Sequence, residues 1–129
     1  MKVVFDTNIF ISALVFPGHQ AEKAVVRVIE KDTLVISKAI IDEVLSVLSP
    51  KFSRDAEELS RLAVFLADMG EFVKPLHKVK ALKDEPDNGI IECAVDGHAY
   101  IIITDDKEML SLKKYRGVQI IGLKDYLEM

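Results

Sequence analysis

Short apolar runs alternate with amphipathic, helix-like stretches along this chain, with no linker, repeat or low-complexity tract between them. KVVFD at the start reads as a buried strand, and LVIS at 34–37, YIIIT at 100–104 and VQII at 118–121 read the same way. NIFISALV is a short helix ended by Pro17-Gly18, and a helix over 20–31 carries Ala21, Ala24, Val25, Val28 and Ile29 on one face. Ser37 is placed to cap a third helix, KAIIDEVLSVLS. A fourth begins near Asp55, which with Glu58 has capping-box spacing. Its apolar stripe is Leu59, Leu62, Ala63 and Leu66, and Gly70 can end it in a left-handed cap. EFVKPL is at most a short extended piece, and helices over 87–96 and 107–114 and a short last one complete the pattern. Apolar strands between amphipathic helices predict an α/β domain of three layers, a mostly parallel sheet flanked by helices.

The length of 129 residues suits one domain, 1–129, and half the residues are hydrophobic, enough for a core. A net charge of −4 gives no overall attraction to nucleic acid, so any such contact must be local. Two basic clusters exist: Lys78, Lys80 and Lys83, then Lys107, Lys113, Lys114 and Arg116. Either is explained alone by solvated surface. The single cysteine, Cys93, excludes an intramolecular disulfide framework and reads as a small core residue. No apolar run reaches membrane-spanning length, so the expectation is a soluble, cytoplasmic protein without a membrane partner.

Four acids fall where carboxylates can meet at one end of such a sheet. Asp6 closes the first strand, Glu43 lies in the third helix, Asp87 opens the helix PDNGIIECAVDG, and Asp106 follows YIIIT. Ligands bind at the carboxyl ends of parallel strands. Gathered carboxylates repel by about 4 kcal/mol for a pair ~4 Å apart at an intermediate dielectric. A hard divalent cation relieves that repulsion, and oxygen donors suit Mg²⁺ or Mn²⁺.

These residues resemble the PIN-domain family nearly end to end. The motifs are VVFDTNIFISAL, then IS…IIDEVLSVL, then DEPDNGIIECAVDGHAYIIITDDKEML. Within that family the chain is most similar to the toxins of prokaryotic toxin–antitoxin pairs, close to the VapC group. The resemblance implies a five-stranded parallel sheet and a Mg²⁺- or Mn²⁺-dependent endoribonuclease. It also implies an RNA substrate, a small antitoxin partner and a homodimer. Asp6, Glu43, Asp87 and Asp106 would then be the catalytic and metal-binding acids. Asn8 and Thr104 would bond those carboxylates, and Lys107, Lys113 and Lys114 would contact RNA. The sequence departs from the family where Asp105 stands between Thr104 and Asp106; spacing favours Asp106 as the ligand. Asp84 is either an outer acid or surface.

Each acid also has a structural explanation. Asp6-Thr7-Asn8 can be an Asx turn, and Asp87 and the Asp105-Asp106 pair can serve helix N-termini. A receiver-type phospho-acceptor domain suits the length and alternation, but its acidic pair belongs after the first strand. An aspartyl phosphatase needs Asp-x-Asp where this chain has Asp6-Thr7-Asn8. A catalytically silent RNA-binding PIN module is the remaining alternative. His19, His77 and His98 lack metal-ligand spacing.

Overall fold

In the computed structural model, which describes residues 1–52 and 56–129, the first apolar run becomes the middle of a sheet. Strand β1 (Lys2–Phe5) lies between β2 (Thr33–Ser37) and β4 (Ile101–Ile103), parallel to both. Parallel strands β3 (Glu71–Val73) and β6 (Val118–Ile121) flank these, and β5 (Lys114–Tyr115) pairs antiparallel with β6. The order is β3-β2-β1-β4-β6-β5. Val3, Val4 and Phe5, like Ile101, Ile102 and Ile103, are fully buried, as both faces of a covered parallel sheet demand.

The helices are α1 (Thr7–Val15), α2 (Gln20–Lys31), α3 (Lys38–Phe52), α4 (Ala56–Asp68), α5 (Glu85–Asp96), α6 (Lys107–Leu112) and α7 (Leu123–Leu127). Helix α2 packs on α1 and α7, and α3 packs on α4 and α5. The architecture is the expected flanked, mostly parallel sheet, with the short antiparallel β5 added to the five parallel strands. Among the described residues, no helix is long and apolar enough to cross a membrane.

Strand order decides where a ligand can sit. From β1 the chain moves outward to β2 and β3, then returns to the other side of β1 as β4. The crevice between the carboxyl ends of β1 and β4 is therefore the topological switch point, where open α/β sheets bind ligands. A receiver-type sheet instead places its third strand beside its first, in the order 2-1-3-4-5. Here β4 occupies that position, so the receiver alternative does not match the topology.

Several local expectations change. The helix expected over 107–114 stops at Leu112, because Arg116 (φ 46°) and Gly117 (φ 85°) form a tight turn that folds Lys114–Tyr115 back onto β6. Gly70 is not a left-handed cap. A Cβ there would collide with the Leu34 backbone carbonyl, so glycine lets the end of α4 pass close over β2. Ile29 is 56 % exposed, and α2 buries Ala21, Ala24 and Val28 instead. EFV within EFVKPL is a true edge strand, and Ser37 Oγ accepts from Ile40 N at 3.3 Å as the cap of α3. The capping box expected at Asp55 lies outside the described residues.

Candidate active site

Asp6 follows β1 and still extends its ladder, donating its N–H to the Ile103 carbonyl at 2.9 Å. It is also the N-cap of α1: Oδ1 accepts from Asn8 N at 3.3 Å. Strand end and helix cap coincide in one residue, which fixes its buried carboxylate at the crevice. The structural reading of Asp6 as a cap is therefore correct, and it does not exclude a second role. Asn8 reaches Asp6 through its backbone rather than its amide.

Thr104, fully buried after β4, ties the two strand ends together. Its Oγ1 donates to Asp6 Oδ2 at 2.6 Å and accepts from Asp106 N at 3.0 Å. Asp106 Oδ2 in turn caps α6 by accepting from Met109 N at 3.0 Å. Its neighbour Asp105 turns away, and Oδ1 accepts from Leu123 N at 3.1 Å at the start of α7. The adjacent aspartates thus serve different helices.

The other two acids come from helices. Asp84 is the N-cap of α5, its Oδ1 accepting from Asp87 N at 3.3 Å, so Asp87 sits in the first turn. Helix α5 therefore begins at Glu85, slightly earlier than 87, because Asp84 supplies the cap and Pro86 suits the first turn. Glu43 projects from α3 on the stripe that includes Ile40 and Val47.

Asp6, Glu43, Asp84, Asp87 and Asp106 all line one cavity of about 210 Å³, together with Thr7, Asn8, Val47, Pro86 and Ile90. Among the described residues, no lysine or arginine lines it. Burial raises the Asp6 carboxyl above its ordinary range, against hydrogen bonds from Thr104 and Asn8, and the Asp106 charge raises it further. Asp87 is pushed up to about 6, first by burial and then by the charges of Asp84, Asp6, Asp106 and Glu108. These perturbations are what an acid cluster without a cation produces.

A divalent ion fits the donor chemistry of this cavity, since every charged group among the described residues that line it is a carboxylate. Among the described residues, however, no three His, Cys, Asp or Glu side chains close around one point as a ready-made metal cage. The carboxylates ring a space, which suits Mg²⁺, an ion that keeps several waters and is held by few carboxylates.

Of the lysines expected to contact RNA, Lys107 adjoins Asp106 at the start of α6. Lys113 and Lys114 do not share that edge. Lys114 pairs with Gln119, which is in register with Ile101 at the amino end of β4. Cys93 is buried and its thiol is pushed up to about 12 chiefly by burial, consistent with a core role. His77 Nδ1 lies within hydrogen-bond distance of Asp96 Oδ1, at 2.9 Å.

Sequence reasoning missed how the 76–82 segment is held. Asp96 Oδ2 accepts from the backbone N–H groups of Leu76 (2.6 Å) and His77 (3.0 Å). One turn earlier in α5, Glu92 Oε2 accepts from Val79 N at 2.9 Å. One turn before that, buried Asn88 accepts from Leu82 N and donates to Leu82 O, at 2.9 and 2.8 Å. The i, i+4, i+8 spacing of Asn88, Glu92 and Asp96 on a largely apolar helix was the available signal.

Comparison with known proteins accords with this geometry. The family model of the PIN domain matches residues 2–108. A relative in Methanocaldococcus jannaschii, the uncharacterized protein MJ1680, is 32 % identical over 132 residues, covering 96 % of this chain and 84 % of the relative. Among solved structures, VapBC-1 from nontypeable Haemophilus influenzae is similar with a TM-score of 0.69 and 17 % identity, over 96 % of this chain and 99 % of that one. VapBC2 from Rickettsia felis, bound to a DNA fragment from its promoter, gives 0.66 and 16 %, over 95 % and 98 %. At such identities the structures establish likeness of fold.

Proposed function

This chain belongs to the PIN-domain family, and on that premise we propose that it is a divalent-metal-dependent endoribonuclease, the toxin of a toxin–antitoxin pair. The observation that carries the chemistry is the cavity at the β1/β4 switch point, lined among the described residues by five carboxylates and no cationic side chain. The toxin assignment is supported by the likeness in fold to the two VapBC proteins and by the motifs of the VapC group. By that likeness a small antitoxin protein is the expected partner.

Asp6 and Asp106 would hold Mg²⁺ or Mn²⁺, with Glu43 and Asp87 completing its surroundings. The bound ion supplies Lewis-acid polarisation of the phosphodiester and of the attacking water. Thr104 holds the Asp6 carboxylate in one orientation through its 2.6 Å hydrogen bond and draws Asp106 N–H to the same hydroxyl. That support keeps two acids from different strands in fixed register. Asp87, in the first turn of α5 on the wall of the same cavity, would take the proton of the attacking water as the new P–O bond forms, and that proton would pass to the leaving oxygen as the old P–O bond breaks. Val47 and Ile90 supply apolar wall to the cavity.

The test is cleavage of a defined RNA pool with Mg²⁺, Mn²⁺ or EDTA, with single-stranded DNA of matching sequence as a parallel arm. Cleavage of RNA that needs either ion and vanishes in EDTA supports the reading. Binding without cleavage under every metal condition would identify a catalytically silent module.

A further inference from the structure

Beside the acid cavity lies a larger one, of about 530 Å³. Thr7, Glu43 and Pro86 line both, so the two spaces adjoin. The larger space has an aliphatic lining that includes Ala39, Ile40, Val79 and Gly89. Lys78 and Lys80 also line it, in contrast to the acid cavity, where the described residues include no cation. Three acids line the larger space as well, Glu43, Glu85 and Glu92, of which Glu92 is already occupied in accepting the Val79 N–H.

Resting on the nuclease reading of the acid cavity, we propose that this second cavity is a subsite for the nucleotide flanking the scissile bond of a single-stranded RNA. Lys78 and Lys80 take its phosphates. A strand whose reacting phosphate lies among carboxylates must carry its next phosphates away from those charges. Of the two adjoining spaces this one has lysines beside it among the described residues, so it is the less negative way out for those phosphates. Because Asn88, Glu92 and Asp96 hold the backbone of 76–82 against α5, the lysines stand on a braced segment. Among the described residues the lining contains no aromatic ring, so those residues hold a nucleotide by charge and aliphatic contact rather than by stacking.

The site can be probed by charge and by volume. Lys78→Gln/Lys80→Gln removes the two cations. Gly89→Leu adds bulk, since a Cβ at Gly89 meets only Ala39 Cβ, at the ordinary contact distance of 3.9 Å. The charge-matched control is Lys2→Gln/Lys31→Gln, at the amino-end edge of the sheet. Affinity for labelled single-stranded RNAs of increasing length is measured by fluorescence anisotropy across a salt series, alongside cleavage kinetics with Mg²⁺.

The parent should bind more tightly as the RNA lengthens. The Lys78→Gln/Lys80→Gln variant should lose most of that gain, and its slope of log affinity against log salt should flatten by roughly 1.4, for two phosphate contacts on a single strand. Gly89→Leu should lose the same length-dependent gain with the salt slope partly kept, and the control should match the parent. Cleavage by the parent combined with unchanged length and salt dependence in both site variants overturns the subsite and leaves the nuclease reading intact. Lysine-dependent binding without cleavage has the opposite meaning. Competition by a polyglutamate peptide as strong as by RNA also overturns the proposal, making the cavity a site for acidic protein segments.

Discussion

Replacing Asp87 with Asn tests whether the acid cluster is electrostatically strained when no cation fills it. The Asp87 carboxyl moves from an ordinary 3.8 to about 6, which at full strength corresponds to roughly 3 kcal/mol. The group is partly exposed, so solvent screening reduces this to about 1–2 kcal/mol. Asp87 also lies in the first turn of α5, where a negative charge gains about 0.3–1 kcal/mol from the helix dipole. The net expectation is that Asp87→Asn is more stable than the parent by roughly 1 kcal/mol at pH 7 in EDTA.

The pH dependence has a definite sign. The folded pKa lies above the unfolded one, so between about pH 4 and pH 6 the folded state binds more protons. The parent's stability should fall as pH rises through that window and level off above it. Asp87→Asn lacks this contribution, so the gap between the proteins should close towards pH 4. Asp87 is a cleaner choice than Asp6, whose two oxygens accept from Asn8 N and Thr104 Oγ1. Urea titrations from pH 4 to 8 in EDTA measure the difference, and added Mg²⁺ or Mn²⁺ should raise the parent's stability more than the variant's. An Asp87→Asn protein that is less stable at pH 7, with the parent's pH profile and metal response, would refute the crowding argument.

Asp106→Asn should lower RNA cleavage by about 10³-fold, the scale of losing one group that stabilises developing charge. Asp105→Asn should cost less than about 10-fold, since its amide oxygen can still accept from Leu123 N, whereas Asp105→Ala should lower stability by about 0.5–1.5 kcal/mol through loss of that bond. Thr104→Val should slow cleavage roughly 10- to 100-fold. Because the Thr104 bond lowers the Asp6 pKa, its loss should also move the acid limb of the pH–rate profile to higher pH. Gly70→Ala should destabilise by about 3 kcal/mol or more in urea titration, since the Leu34 backbone cannot give way to a methyl group. Phe16, Val64 and Phe65 are more than half exposed, and light scattering at micromolar concentration should report a homodimer; a monomer would remove the assembly reading alone.

The local code of this chain is written in period and punctuation, and most elements could be read from it. VVF and III are uninterrupted apolar runs because both faces of a parallel strand are covered, so β1 and β4 were legible without a partner in view. Ser37 before an apolar-periodic run marked the start of α3 for an equally local reason. The gathering of Asp6, Glu43, Asp87 and Asp106 was legible as motif order on elements of known direction. What remained closed was whatever depends on a distant partner. Arg116-Gly117 is a less obvious hairpin turn than Asn-Gly, and Lys114–Tyr115 becomes a strand only because β6 offers an edge. That pairing carries Lys113 and Lys114 to the level of the amino end of β4. Asp105 and Asp106 are chemically identical; spacing alone favoured Asp106, and the position of α7 supplies the reason, giving Asp105 the Leu123 N–H and leaving Asp106 to the acid cavity. Gly70 likewise answers to Leu34, on a strand far away in sequence, rather than to the helix it follows. Periodicity reports what each segment does with its own neighbours; contacts across the sheet select among carboxylates and lysines that local chemistry cannot tell apart.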